Sequence, residues 1–121
     1  MPDTKSIGNA GEEKASQFLF SINYQILERN WRTKRGEVDI IALDGDILVF
    51  VEVKTVPNSN QEMLSWVLDK RKQKRIIETA KCFLSEYRQY NEHFVRFDVL
   101  VVDMCDQEPV YHIKDAFSEI L

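Results

Sequence analysis

Cysteines and secretion signals are scarce in this sequence. Cys82 and Cys105 are the two cysteines among 121 residues, and their separation matches no metal-ligand spacing, which excludes a metal site built on cysteine. Residues 1–8 lack the basic and apolar blocks of a secretory signal. We therefore expect a protein of the reducing cytoplasm.

Long apolar runs and an excess of positive charge are also missing. The longest apolar run, residues 47–51, falls far short of the roughly 20 residues needed to cross a bilayer, so we expect no membrane contact. The chain carries 16 basic and 20 acidic side chains, a formal net charge of −4 at pH 7. This balance argues against a protein that coats nucleic acid indiscriminately.

Apolar side chains are abundant enough for a packed core. Leu, Ile, Val and Phe account for 37 of the 121 residues, well above the roughly one fifth below which a charged chain stays disordered. A chain of this length buries roughly 65% of the surface that its unfolded form exposes. We expect one domain over residues 1–121.

The hydrophobic periodicity predicts an α/β fold with the element order α-β-β-β-α-β-β-α. The predicted elements are a helix over 7–22, strands over 24–30, 37–43 and 47–54, a polar loop over 55–66, a helix that begins near residue 70, strands over 94–102 and 110–113, and a helical turn over 115–120. This order favours a mixed β-sheet with helices packed on it.

The second and third predicted strands flank an Asp-Gly turn at residues 44–46 and form a β-hairpin. The turn allows two registers. If the first two of its three residues form the loop, Glu37 lies opposite Glu52. If the last two form the loop, Asp39 takes that place.

In both registers Asp39, Glu52 and Lys54 share one face of the hairpin, because side chains alternate along a strand. The other face is predicted to carry the apolar side chains of Val38, Ile40, Val49, Val51 and Val53. Clustered carboxylates repel one another, and a divalent cation such as Mg²⁺, which prefers oxygen ligands, would compensate them. Lys54 is a second compensating charge and could orient an attacking water.

The same face also has an ordinary interpretation, as a solvated surface with ion pairs between strands. However, Asp39 and Glu52 stand within runs that are otherwise apolar on both faces. Helices should cover such a sheet, and charge there is costly. We therefore favour a functional site.

Nine of the sixteen basic residues lie in two short windows, 29–35 and 70–75. The second window begins the second predicted helix, where the helix dipole also favours anions. It is either a solvated helix end or a surface that contacts phosphates. Because it lies near the hairpin, we predict nucleic-acid binding by Lys70, Arg71, Lys72, Lys74, Arg75, Arg32 and Arg35.

Five segments carry a family resemblance: Gly8-Asn9-Ala10-Gly11-Glu12, Arg29-Asn30-Trp31-Arg32, Gly36-Glu37-Val38-Asp39-Ile40-Ile41, Phe50-Val51-Glu52-Val53-Lys54 and Arg96-Phe97-Asp98-Val99. In order and spacing they resemble the uncharacterised bacterial family called YraN-like or UPF0102, over about residues 8–102. The Asp followed thirteen residues later by Glu-x-Lys also resembles the metal-dependent nuclease core of type II restriction endonucleases and archaeal Holliday-junction resolvases.

The resemblance implies a restriction-endonuclease-like fold and a site that uses Mg²⁺ or Mn²⁺. Asp39, Glu52 and the carbonyl of Val53 would be metal ligands, Lys54 the catalytic lysine, and Glu12 the carboxylate that completes the catalytic site from the first helix. The implied activity is hydrolysis of phosphodiester bonds in DNA, with branched or junction DNA as one substrate form. Fold analogy also suggests a homodimer.

Two further residues have other interpretations. Glu37 is expected to support the site, either beside the metal ligands or as an ion-pair partner of Lys54. Asp98 follows Arg96 on a predicted strand, and we expect it to pair with a basic neighbour rather than with a metal.

The alternative function is a nucleic-acid-binding or assembly module with a vestigial nuclease site. The presence of Asp39, Glu52 and Lys54 together favours the enzyme, because a decayed site is expected to lose such costly charges. A purely structural protein would leave both basic windows unexplained.

Overall fold

The computed structural model describes residues 4–56, 69–103 and 110–118. These residues form α1 (Thr4–Ser21), β1 (Gln25–Thr33), β2 (Gly36–Asp44), β3 (Ile47–Val56), α2 (Lys70–Glu86), a 3-10 turn (Arg88–Tyr90), β4 (Phe94–Asp103) and β5 (Val110–Phe117). The predicted α/β class and the order α-β-β-β-α-β-β are confirmed. None of the described helices is both long enough and apolar enough to cross a membrane.

The five strands form one mixed sheet in the order β1-β2-β3-β4-β5. β3 and β4 are parallel, and every other neighbouring pair is antiparallel. The chain passes through α2 between the two parallel strands, as a parallel connection requires a crossover.

The sheet has an apolar core on each face. On one face, Ala15 and Leu19 of α1 pack with side chains of β2, β3 and β4. On the other, Ile76, Ala80 and Phe83 of α2 pack with a second set that includes Phe50. The central strands are therefore buried on both sides, and a charged side chain there needs a partner.

The β2–β3 hairpin adopts the second of the two predicted registers. Asp44 pairs with Ile47, which leaves Gly45 and Asp46 as the loop. Gly45 has a φ of 60°, a left-handed conformation that glycine adopts without steric cost. Asp39 directly precedes Ile40, which forms the last ladder pair with Val51, and its carboxyl lies near that of Glu52.

The predicted placement of Val38 on the face of Ile40 is wrong. Val38 is fully buried in the α2-side core, whereas Ile40 is buried in the α1-side core. The last pair of the β2–β3 ladder is Ile40 with Val51. β2 and β3 are not paired before Ile40 on β2. Side chains there do not alternate strictly between the two faces of the sheet, as the prediction assumes.

The predicted helical turn over 115–120 is also wrong in its described part, because β5 continues to Phe117. The ring of Phe117 stacks on that of Phe97, with centroids 5.0 Å apart. Asp115 has a φ of 54° and donates its backbone N–H to Asp98 at 3.1 Å. These contacts between distant segments hold the chain extended. Residues 119–121 lie outside the described residues, as do residues 57–66 of the predicted loop, whereas Thr55 and Val56 belong to β3.

A charged network is buried between β4 and β5. Asp98 is fully buried and accepts two hydrogen bonds from Arg96, at 2.8 and 2.9 Å. His112 Nε2 lies 2.7 Å from the same carboxylate, and Arg96 also donates to the hydroxyl of Tyr24 at 2.6 Å. The prediction that Asp98 pairs with a basic neighbour is confirmed.

Candidate metal centre

Asp39 lies where β2 and β3 separate. Its Oδ2 accepts a hydrogen bond of 2.8 Å from the backbone N–H of Val53, just beyond the last ladder pair. The carboxylate therefore takes the place of a ladder partner and is held in one orientation. Val53 thus contacts the site through its backbone N–H. The role of the Val53 carbonyl as a metal ligand stays a prediction.

The surroundings of Asp39 disfavour its negative charge. Burial, followed by the nearby charges of Glu52 and Glu12, raises the pKa of this carboxyl from its usual 3.8 to about 8. The hydrogen bond from Val53 opposes them by lowering the pKa. A site that holds more negative charge than it can solvate is suited to a cation.

Glu12 reaches the site because α1 lies very close to β3. A Cβ atom on Gly11 would overlap the side chain of Thr55, whose Cβ and Cγ2 would both be 3.0 Å away. Glycine at this position therefore lets the helix backbone approach the strand. The next residue of the helix, Glu12, is thereby brought to the carboxylate of Asp39.

Glu12, Glu37 and Asp39 form a cluster in which one carboxylate oxygen from each lies within 4.8 Å of the others. All three are half-buried. Such an all-oxygen set matches the donors preferred by Mg²⁺ or Mn²⁺, so the residues present fit this cofactor. Glu37 also pairs with Arg32 at 3.2 Å. The geometry thus brings Glu37, the expected supporting residue, together with two predicted ligands.

Glu52, the other predicted carboxylate ligand, is buried beside Asp39 and is paired with Lys72. Its Oε1 lies 2.7 Å from Lys72 Nζ, which α2 supplies. The sequence predicts Lys54 as the counter-charge, whereas its side chain is exposed two residues further along β3. For Lys72 the sequence predicts phosphate contact. Its position in the basic run at the beginning of α2, near the hairpin, is the signal for its pairing with Glu52.

A cleft of about 450 Å³ opens between the β1–β2 turn and the beginning of α2. Asp39, Glu37 and Glu52 line it. Four basic side chains also line it: Lys34, Arg35, Lys72 and Arg75. Acidic and basic side chains thus share this cleft, and the basic ones come from the β1–β2 turn and from α2.

The seven residues predicted to bind nucleic acid take different places. Arg35, Lys72 and Arg75 line the cleft. Lys70, Arg71 and Lys74 are on the same α2 segment, with exposed side chains, and Arg32 faces Glu37 across an ion pair. Nucleic-acid binding by any of the seven stays a prediction. Lys34 lines the cleft and was not among them, although its position in the first basic window is a signal that could have included it.

The beginning of α2 is well defined. Asp69 caps the helix, and its carboxylate accepts the backbone N–H of Lys72 at 2.8 Å. A capped first turn fixes the direction in which the side chains of that turn leave the helix. Lys72 and Arg75 are therefore presented to the cleft from a rigid element.

Fold and site together define an α/β protein with a carboxylate cluster in a cleft lined by basic side chains. Residues 11–102 match the uncharacterised protein family UPF0102, and the chain belongs to that family. It is 45% identical to a UPF0102 protein of Treponema denticola, over 94% of this chain and 96% of the relative. It is 44% identical to a UPF0102 protein of Treponema pallidum (strain Nichols), over 97% and 96%, and 41% identical to one of Geotalea daltonii, over 96% and 92%. The resemblance to UPF0102 seen in the sequence is confirmed.

Proposed function

We propose that the protein is a metal-dependent nuclease of the restriction-endonuclease-like type, which hydrolyses phosphodiester bonds in DNA with Mg²⁺ or Mn²⁺. The observation that carries this proposal is the cluster of Glu12, Glu37 and Asp39 at the point where two core strands separate. The basic side chains that line the same cleft support a polyanionic substrate.

Each group of the chain has a distinct part in this proposal. Glu12, Glu37 and Asp39 would hold the divalent cation, which supplies Lewis acidity and an activated water in sites of this kind. The N–H of Val53 keeps Asp39 in the orientation for binding. Lys54 offers an exposed ammonium group that orients the attacking water or stabilises charge that develops on the phosphate.

Basic residues in the cleft would position the substrate. Arg35 and Lys34 come from the turn between β1 and β2, and Arg75 comes from α2. Contacts of this kind fix the register of a nucleic-acid backbone without reading its sequence. We therefore propose that the substrate is chosen by its backbone shape, and branched or junction DNA is the form to test beside duplex and single-stranded DNA.

A cleavage assay tests this function directly. Branched, single-stranded and duplex DNAs are incubated with the purified protein and Mg²⁺ or Mn²⁺, beside the Asp39→Asn variant. We expect cleavage that depends on the metal and is lost in Asp39→Asn but kept in Asp46→Asn, a matched change in the exposed hairpin turn. Equal cleavage by the protein and Asp39→Asn would assign the activity to a contaminant.

The second candidate function is a nucleic-acid-binding module without catalysis, and the basic lining of the cleft favours it. Changing Lys34 and Arg75 to Ala should weaken DNA binding for all sequences and reduce the slope of log K against log salt by about two units. Lys114→Ala, an exposed change on β5, is the control. Salt-dependent binding without cleavage of any DNA in the panel would favour this second function.

A further inference from the structure

Lys72 is placed as an internal cation of the acidic site. Its Nζ lies 2.7 Å from Glu52 Oε1, and the two residues are 20 positions apart on different elements. The side chain of Glu52 is only 9% exposed, whereas that of Lys72 is 41% exposed. The carboxylate is therefore fixed in the fold, and the lysine reaches it from the solvent side of the cleft.

Both acidic and basic side chains lie around this ion pair. Glu52 lies within hydrogen-bonding reach of Asp39, and Asp39 is a member of the cluster with Glu12 and Glu37. The basic groups of the same cleft are Lys72, Arg75, Arg35 and Lys34. Of these, Arg35 is paired with Glu78 at 3.3 Å, and Lys72 is the one with an ion pair to a carboxylate beside Asp39.

A divalent cation at the cluster would lie close to the Lys72 ammonium group, since both are neighbours of the Asp39–Glu52 pair. Two cations at this separation repel each other, and each one reduces the negative charge that is left for the other to neutralise. The lysine has a flexible four-carbon side chain that is 41% exposed, so its ammonium group can move away from Glu52 into solvent. Asp39 and Glu52 cannot move in this way, because they belong to the core strands β2 and β3.

We infer that Lys72 is an exchangeable counter-cation: it neutralises Glu52 in the metal-free protein and leaves that carboxylate when the divalent cation binds. The inference rests on the proposed function, because it assumes that the carboxylate cluster holds a metal. After the exchange, Lys72 remains in the cleft with its charge free to face a phosphate group. Metal binding and the release of the Lys72 ammonium group from Glu52 then occur together.

Calorimetric titration with Mn²⁺ tests the exchange. Lys72→Met removes the competing charge, so we expect Mn²⁺ to bind about fivefold to tenfold more tightly than to the unchanged protein at the same pH. Lys114→Met, a matched loss of one exposed lysine on β5, should leave the Mn²⁺ affinity within twofold. A lysine that served only to hold the fold together would give the opposite result, a weaker affinity in Lys72→Met.

Thermal unfolding supplies a second readout. Without metal, Lys72→Met leaves Glu52 buried without its partner, so the melting temperature should fall. Saturating Mn²⁺ should raise the melting temperature of this variant by more than that of the unchanged protein, since tighter binding stabilises more by mass action. If Lys72→Met does not fold, Lys72→Gln, which can still donate a hydrogen bond to Glu52, replaces it with the same expected tightening.

The outcomes separate the inference from the function on which it rests. If the unchanged protein binds Mn²⁺ and the Lys72 variants bind it equally or more weakly, the exchange is wrong and the metal centre stands. If no Mn²⁺ binds to the unchanged protein or to any variant, both the exchange and the metal-dependent function are wrong.

Discussion

Asp39 shows how one buried carboxyl couples the fold to pH. Its pKa is raised to about 8, first by burial and then by Glu52, so between pH 4 and 8 the folded protein binds a proton that the unfolded chain releases. Stability conferred by this group is therefore complete below pH 4 and is lost as the pH rises through 8. The metal-free protein should be less stable at pH 8 than at pH 5 for this reason.

The Asp39→Asn variant tests this pH dependence. An amide can still accept the Val53 N–H but carries no charge, so the metal-free variant should melt roughly 3 to 6 °C above the unchanged protein at pH 8. The difference should vanish near pH 4. Thermal unfolding with chelator across that range measures it, and Asp46→Asn is the control, since its side chain is exposed. A constant difference at all pH values would contradict the linkage.

Asp98, on β4, has the opposite behaviour. Burial alone would raise its pKa, but hydrogen bonds from His112 and Arg96 outweigh burial and lower it to about 2. Because the folded-state pKa is below the usual 3.8, the ionised form stabilises the fold above pH 4 and this contribution is lost as the pH falls through 2. This network should therefore lose its contribution to stability between about pH 4 and pH 2.

We expect Asp98→Asn to destabilise the protein by about 3 kcal/mol at pH 7, because it leaves Arg96 and His112 without the carboxylate that they share. Urea unfolding at pH 7 measures this cost, and repeating it at pH 2.5 should show a smaller one. Asp46→Asn again provides the exposed comparison. A cost under about 1 kcal/mol at pH 7 would show that the network is not a main source of stability.

The contact of α1 with β3 decides whether a helix residue can join a site built on strands. In an ordinary helix, Gly→Ala stabilises by about 1 kcal/mol. At Gly11 the new Cβ would overlap Thr55, so Gly11→Ala should instead destabilise by about 1 to 3 kcal/mol and move Glu12 away from Asp39. Mn²⁺ affinity should fall several-fold, as calorimetry would show.

The rescue variant makes this prediction specific. Thr55→Ala removes Oγ1 and Cγ2, so the double variant Gly11→Ala with Thr55→Ala should recover part of both the stability and the Mn²⁺ affinity. An increase in stability from Gly11→Ala alone would mean that helix propensity outweighs the close approach.

Element type could be predicted from local pattern, whereas element ends could not. The alternation of residues in β2 and β3 and the Asp-Gly turn indicate the hairpin, yet the turn sequence is compatible with two loops, and the positive φ of Gly45 distinguishes them only in the structure. The end of β5 depends on Phe117 stacking on Phe97. That contact joins segments 20 residues apart, and a window of local sequence does not contain it.

The candidate site shows the same division. Asp39 and Glu52 could be placed together because they share a hairpin whose register has two options. The arrival of Glu12 depends on the packing distance of α1, and the pairing of Glu52 with Lys72 depends on the path of the chain from β3 to α2. The hydrophobic periodicity of the sequence predicts neither of these two contacts. Local sequence favours Lys54 as the counter-charge, because it lies two residues from Glu52, whereas the partner in the structure is Lys72.

Over the whole molecule, basic and acidic side chains are unevenly distributed. The chain is acidic overall, with a net charge of −4, but four basic side chains are gathered in the cleft that contains the acidic cluster. Such an arrangement concentrates a polyanion at one place while the remaining surface repels it. A metal ion at the cluster would strengthen this preference, so the affinity for DNA should increase when Mg²⁺ is present.

Lys54 separates a working nuclease from a binding module. If it acts on the water or the phosphate, Lys54→Ala should keep Mn²⁺ and DNA affinity within a few-fold yet lower the cleavage rate by about two to four orders of magnitude. Its exposed side chain makes a large loss of stability unexpected, so the measured rate reports chemistry. If it serves only to neutralise the carboxylates of the site, its removal should change metal affinity and melting temperature instead. Single-turnover cleavage of the DNA panel, with calorimetry on the same samples, distinguishes the two. If the unchanged protein shows no metal-dependent cleavage of any DNA in the panel, the nuclease is ruled out.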